Sequence, residues 1–200
     1  MDKYEENKKI KENKLLDTAF DLFTKKGIKD TSIQDIVDNA GVGKGTFYLY
    51  FKDKYDIRDH LIEKKSKKLF SDAITALRNS YIKSFDDQII FIINYVIDEL
   101  TKNPILLQFI SKDLSWGVYN KTITKLSGNS KDSEEGLYTL FLNKAKENSI
   151  HYPNPEVTLF MIIELVSSTC FNSILYKEPL PITEYKPYLY DTIREMLKSK

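Results

Sequence analysis

Residues 43–51 place a distinctive set of side chains around one short predicted helix. They read Gly-Lys-Gly-Thr-Phe-Tyr-Leu-Tyr-Phe. At about 100° per residue, Phe47 and Phe51 share one face and should anchor the helix in a core. The remaining face and its flanks carry Gly43, Lys44, Gly45, Thr46, Tyr48, Leu49 and Tyr50. A glycine lets the backbone approach closely, a leucine can meet a thymine methyl, and lysine and hydroxyl groups can reach phosphates or base edges. The pattern predicts a recognition helix for double-stranded DNA.

Polar residues on either side of this segment extend the predicted contact surface. Thr31 and Ser32 place hydroxyls and free backbone N–H groups at one helix start, and Lys54 adds a charge at the start of another. Helix N-termini and lysines attract phosphates. The alternative is that the two hydroxyls only cap a helix and that Lys54 is a solvated surface charge.

The elements that must position these residues are four predicted helices. Apolar residues at helical spacing predict a first helix over residues 7–26, ended by Gly27. Thr31 or Ser32 then caps a second helix, with Gln34 or Asp35 as the reciprocal partner in a capping box. Gly41 breaks that helix. The third helix starts near Gly43 and ends around residues 52–53, and a fourth runs over residues 54–79.

Taken in order, this pattern resembles the N-terminal DNA-binding unit of the TetR/AcrR family of bacterial transcriptional regulators. The matching positions are Ala19, Phe23, Gly27, Thr31, Ser32, Ile36, Ala40, Gly41, Val42, Lys44, Gly45, Thr46, Tyr48, Phe51 and Lys54. The resemblance implies that the residues at the positions of Lys44, Gly45, Thr46, Tyr48, Leu49, Tyr50 and Lys54 face DNA. Gly43 departs from the serine that often caps the third helix in the family, so we expect this helix to start less firmly.

Composition supports a globular protein. Hydrophobic residues make up 42% and charged residues 30% of the 200 residues, which excludes the composition of disordered chains. The fold class that we predict is all-α: an N-terminal three-helix helix-turn-helix domain over residues 1–54, followed by a helical effector-binding and dimerisation domain over residues 55–200. In the second domain, helices are predicted over residues 87–101, 104–127, 133–148, 155–176 and 183–198.

Charge, cysteine content and hydropathy limit which binding partners and which cellular compartment the sequence predicts. The net charge is +1, with +3 in residues 1–68 and −2 in the rest, so bulk charge alone would not indicate nucleic acid binding. The one cysteine, Cys170, lies in an apolar stretch and is expected to be buried. The charged N-terminus predicts a cytoplasmic protein without a signal peptide. Polar residues interrupt the apolar stretch over residues 157–175, which argues against a membrane span.

The resemblance implies that the C-terminal region forms a homodimer through its last two long helices and encloses a small-molecule pocket. Polar groups within an otherwise apolar set are the makeup of a ligand cavity. The residues predicted to line it are Phe91, Asn94, Tyr95, Phe109, Trp116, Phe141, Phe160, Glu164, Phe171 and Asn172. Glu164, if it faces inward, needs a partner or a cationic ligand. The predicted effector is therefore a small apolar or cationic molecule.

Enzymatic motifs are missing from the sequence. The two histidines, His60 and His151, are far apart, and no cluster has metal-ligand spacing. Residues 41–45 lack the preceding strand and the spacing of a phosphate-binding loop. We therefore predict no enzyme activity, no metal and no cofactor. The sequence favours a ligand-responsive dimeric transcriptional regulator, a repressor that binds a palindromic operator; the alternative is a ligand-independent helical DNA-binding or protein-interaction module.

Overall fold

The computed structural model describes residues 3–111 and 137–198, which form helices with no strand among them. The helices are α1 Lys3–Lys26, α2 Ile33–Ala40, α3 Lys44–Tyr48, α4 Lys54–Arg78, α5 Phe85–Lys102, α6 Pro104–Ile110, α7 Leu137–Glu147, α8 Pro155–Leu175 and α9 Ile182–Leu197. The predicted all-α fold class is confirmed. The helix expected over residues 104–127 extends beyond the described residues.

The chain divides into two compact units, Met1–Glu63 and Lys64–Lys200. Helix α4 contributes residues to both, because it begins at Lys54 and ends at Arg78. The functional boundary predicted after residue 54 stays a prediction.

Apolar residues from four helices form the core of the first unit. Leu15 and Ala19 of α1, Ile36 of α2, Phe47 of α3 and Ile57 of α4 are all completely buried. They recur at the three- and four-residue spacing that puts one face of each helix toward a common centre. The packing of these apolar faces, rather than the length of each helix, therefore stabilises the helices of this unit.

The second unit is built around α5 and α8. Its core includes Ile92 and Val96 from α5, Ile162 and Val166 from α8, and Ile193 from α9. Asn154 caps α8 by accepting a hydrogen bond from the Val157 N–H, with Pro155 at the first helical turn, as expected from the sequence.

The final helix begins at Ile182 and contains Pro187. The proline is therefore inside the helix rather than at its start. At the sixth position of the helix the proline has no N–H to donate to the Thr183 carbonyl, so one backbone hydrogen bond is missing while the helix continues.

Helix α8 is long and apolar enough to cross a membrane when judged by length and composition alone. Its residues Leu159, Ile162 and Ile163 are buried in the core of the second unit. A central helix of a water-soluble bundle has the same length and composition.

Candidate nucleic-acid interface

Paired caps fix the ends of α2, the helix that precedes α3. The Ser32 N–H donates to Asp35 Oδ2 at 2.8 Å, and the Asp35 N–H donates to Ser32 Oγ at 3.0 Å. This is the predicted capping box, and it selects Ser32 rather than Thr31 as the cap. The hydrogen bond from Lys26, followed by those from Ser32, holds the pKa of Asp35 below its usual range.

The turn between α2 and α3 depends on Gly41. Its φ of 62° lies in the left-handed region, which glycine enters without steric strain. Helix α3 then starts at Lys44, and the preceding Gly43 offers no side-chain hydrogen bond to its first N–H groups. The expectation of a weakly capped recognition helix is confirmed.

Two phenylalanines attach α3 to the unit. Phe47 and Phe51 are 0% and 2% exposed, and their ring centroids lie 5.6 Å apart. The Phe51 ring also meets the edge of the His60 ring at 5.3 Å. The regular helix is shorter than predicted, since it ends at Tyr48 and continues into a turn.

The opposite surface of α3 faces solvent. Leu49 is 78% and Tyr48 is 53% exposed. Lys44 and Gly45 are exposed and Thr46 is half-buried, and a Cβ atom added at Gly45 would meet nothing within 4 Å. The described structure thus places an apolar leucine, an aromatic ring, a lysine and an open backbone next to one another on one surface.

The side chain of Thr31 corrects one prediction. It is 1% exposed, and its hydroxyl donates to the Gly27 carbonyl at 2.7 Å. The hydroxyl closes the turn after α1 and is not presented to a phosphate. Ser32 remains exposed, although its hydroxyl is bonded to Asp35.

The ammonium group of Lys54 is also bonded within the unit. Its Nζ donates to the carbonyls of Lys29 at 3.0 Å and Thr31 at 3.1 Å. The sequence offered two roles for this lysine, a phosphate contact or a solvated charge. In the structure it is half-buried and ties the start of α4 to the turn between α1 and α2.

Tyr50 reaches back from the end of α3 to α1. Its hydroxyl donates to the Lys8 carbonyl at 3.1 Å, so the predicted phosphate-binding hydroxyl is used inside the unit. The two residues are separated by 42 positions in sequence, and local periodicity carries no signal for such a pair. Lys8 is accordingly a neighbour of the recognition segment that sequence reasoning missed.

An apolar cavity of ≈ 30 Å³ lies in the second unit. It is lined by Phe70, Ile89, Ile92, Ile93, Val96, Leu137, Leu159, Ile162, Ile163 and Val166. A drug-sized ligand needs roughly 300–1,000 Å³, so the cavity must widen to hold one.

The residues predicted to line a pocket do not border this cavity in the described part of the chain. Trp116 is outside the described residues, and none of the other nine is among those lining the cavity. Phe141 is fully buried between the rings of Phe85 and Tyr152. Phe160 and Asn172 are exposed on α8, and the half-buried remainder is Phe91, Asn94, Tyr95, Phe109, Glu164 and Phe171. The assignment of these ten residues to a ligand site therefore stays a prediction, since aromatic side chains at helical spacing serve core packing as readily as they line a cavity.

Asn94 belongs to a polar cluster between α5 and α9. Its Oδ1 accepts hydrogen bonds from Lys186 Nζ at 2.8 Å and from the Tyr190 hydroxyl at 2.6 Å. Its Nδ2 donates to Asp98 at 2.9 Å, and Asp98 also forms an ion pair with Lys186. In the structure the amide of Asn94 joins two helices, and its predicted role in a ligand site stays a prediction.

Within the described residues, no group of three or more His, Cys, Asp or Glu side chains could hold a metal ion. Cys170 is buried, as expected, and burial raises the pKa of its thiol to about 12.

Comparison with known proteins finds a family match within the N-terminal unit. Residues 15–61 match the family described as bacterial regulatory proteins, tetR family. The "Probable HTH-type transcriptional regulator YttP" of Bacillus subtilis is 20% identical over 93% of this chain and 89% of its own length. The regulator AcrR of Shigella flexneri is 41% identical over 24% of this chain and 23% of its own length.

Solved structures of regulators share the whole fold. The fatty acid degradation regulator FadR from Bacillus halodurans superposes with a TM-score of 0.62 and 17% identity, covering 92% of this chain and 94% of its own. FadR from Bacillus subtilis in complex with stearoyl-CoA superposes with a TM-score of 0.62 and 15% identity, covering 94% of this chain and 98% of its own. RolR in complex with resorcinol superposes with a TM-score of 0.67 and 12% identity, covering 98% of this chain and 91% of its own.

Proposed function

Because the chain is a TetR-family transcriptional regulator, we propose that it represses transcription as a cytoplasmic homodimer that binds a palindromic operator and responds to a small molecule. The observation that carries the proposal is the exposed surface of α3. Leu49, Tyr48 and Lys44 face solvent on a helix whose other face is fixed by Phe47 and Phe51. A solvated surface gains nothing from an exposed leucine at this place, whereas a major groove offers thymine methyls.

The dimer would form through α8 and α9. Val157, Phe160 and Met161 on α8 are 44–48% exposed, and Tyr188 on α9 is 66% exposed. Apolar side chains exposed along two neighbouring helices favour a four-helix interface between two copies. A twofold dimer would then present two α3 helices to half-sites about 34–36 Å apart.

The effector would be apolar and would enter the core of the second unit. The ten residues that line the ≈ 30 Å³ cavity are all hydrocarbon side chains, which favours the apolar alternative over the cationic one. FadR in complex with stearoyl-CoA and RolR in complex with resorcinol, which share the fold, are consistent with a small-molecule effector. Binding would widen the cavity and change the separation of the two α3 helices, so that both can no longer dock together.

Substitutions on α3 test the DNA assignment. We expect Tyr48→Ala or Lys44→Ala to abolish the gel retardation of an operator duplex selected by the wild-type protein from a random pool. Both side chains are exposed, so the dimer should stay folded, as size-exclusion chromatography and circular dichroism would check. Unchanged binding in both variants contradicts the proposal. Steep salt dependence without sequence preference would favour the ligand-independent module instead.

A further inference from the structure

The first turns of α1 bury nothing in the unit they belong to. The helix begins at Lys3, residues 3–11 are all exposed, and its first buried residue is Leu15. Short helical segments are marginal in water without tertiary contacts. The neighbours of this part of α1 therefore indicate what its exposed side chains could do.

Two contacts place this part of α1 beside α3. The Tyr50 hydroxyl donates to the Lys8 carbonyl at 3.1 Å, just after the end of α3. At the other end, Lys14 Nζ lies 3.6 Å from the position of a Cβ atom built on Gly41, in the turn before α3. The two contact points are six residues apart on α1, which is about 9 Å along the axis. This stretch of α1 therefore runs alongside the recognition segment.

A row of lysines occupies this stretch. Lys8, Lys11 and Lys14 follow one another at three-residue intervals, which makes them neighbours on the helix surface. Lys8 and Lys11 are exposed and form no ion pair among the described residues. Glu12, one turn after Lys8, is half-buried and lowers the net positive charge of the row without cancelling it.

We propose that Lys8 and Lys11 of α1 bind the phosphate backbone of DNA beside the groove that α3 enters, and that Tyr50 is the positioning residue that holds them there. The inference rests on the proposed DNA binding. DNA is the occupant because the row is positively charged and continuous with the exposed surface of α3. Contacts of lysines with phosphates add affinity without sequence preference.

The salt dependence of binding tests this proposal. Each phosphate contact contributes about 0.9 to the slope of log K against log salt concentration. In a dimer, Lys8→Gln or Lys11→Gln each removes two contacts, so the slope should become shallower by about 2, and by about 4 in the double variant. The change should be equal on the selected operator duplex and on an unrelated duplex of the same length.

Two further variants separate the proposed roles. Lys25→Gln removes an exposed charge from the far end of α1 and should leave the slope as in the wild type. Tyr50→Phe removes only the hydroxyl that bonds Lys8. A neutral hydroxyl releases no counterion of its own, so a shallower slope in this variant reports that the lysines have moved.

The outcomes distinguish this inference from the assignment on which it rests. Wild-type slopes in Lys8→Gln, Lys11→Gln and the double variant would overturn the inference while leaving DNA binding by α3 intact. Failure of the wild-type protein to bind any duplex would overturn both. A loss confined to the operator duplex would contradict phosphate contacts, because it would indicate base readout.

Discussion

Leu49→Ala isolates the contribution of one exposed apolar side chain to DNA recognition. Leu49 is 78% exposed and has right-handed helical φ and ψ values at the end of α3. Alanine adopts these angles readily, and little packing is lost. We therefore expect the free energy of unfolding to change by less than about 0.5 kcal/mol.

The effect on DNA binding should be much larger. Complete burial of a leucine side chain is worth about 1.5–3 kcal/mol. If a thymine methyl and its neighbours cover about half of this surface, each protomer gains about 1 kcal/mol. A dimer gains about 2 kcal/mol, which corresponds to roughly a 30-fold rise in Kd for the Leu49→Ala variant.

The assay is fluorescence anisotropy on the selected operator, with each thymine replaced in turn by deoxyuridine. This replacement removes only the methyl group that Leu49 is expected to contact. The wild-type protein should lose affinity at one symmetric pair of positions. The Leu49→Ala variant should be insensitive at that pair, which gives a coupling energy between the side chain and the methyl group.

The matched control is Ile105→Ala, which shortens another aliphatic side chain that is 58% exposed, in the second unit. It should bind the operator as the wild type does. Equal affinities of Leu49→Ala and wild type would refute the contact. A loss of affinity that is the same on every deoxyuridine duplex would refute the thymine methyl as its partner.

Three further predictions concern the fold around the two candidate sites. Asn94→Ala leaves Lys186 and the Tyr190 hydroxyl without their shared acceptor. This change should lower the free energy of unfolding by about 1–3 kcal/mol, as measured by urea titration. The exposed control Asn148→Ala should give a smaller change. Burial raises the pKa of the Cys170 thiol to about 12, so this thiol should react with a disulfide reagent at pH 8 at least about tenfold more slowly than in urea-unfolded protein. Equal rates would contradict its burial. The pKa of Asp35 is lower in the folded than in the unfolded chain, so its stabilisation is present above about pH 4 and is lost as the pH falls further through the folded value. The difference in melting temperature between wild type and Asp35→Asn should therefore narrow below pH 4, and a constant difference would argue against the ionised cap.

Local pattern was sufficient to predict the elements that carry α3. The buried faces of Phe47 and Phe51 follow from a period of 3.6 residues. A capping box that starts at Thr31 or Ser32 and a helix end at Gly41 follow from residue types that act on neighbours three or four positions away. Helix ends were less predictable. The regular helix stops at Tyr48 rather than near residue 52, because an uncapped start and a following turn compete with the helical pattern.

Long-range partners were not predictable from the same information. Asn94 meets Lys186 and Tyr190, which follow it by more than ninety positions. A half-buried amide looks the same in sequence whether it lines a ligand cavity or joins two helices. The apolar cavity of ≈ 30 Å³ in the second unit is lined by aliphatic side chains and Phe70, which a search for polar groups among aromatics could not find.

Six of the ten positions predicted to contact DNA fall into two physical classes. Thr31, Tyr50 and Lys54 use their polar atoms on backbone carbonyls of the first unit, so they hold α3 and its neighbours in place. Lys44, Tyr48 and Leu49 point polar or apolar groups into solvent. Substituting a residue of the first class should weaken DNA binding together with thermal stability, because the position of α3 changes with the fold. Substituting one of the second class should weaken binding alone. Measuring the melting temperature together with DNA affinity therefore distinguishes residues that hold α3 in place from residues that contact DNA.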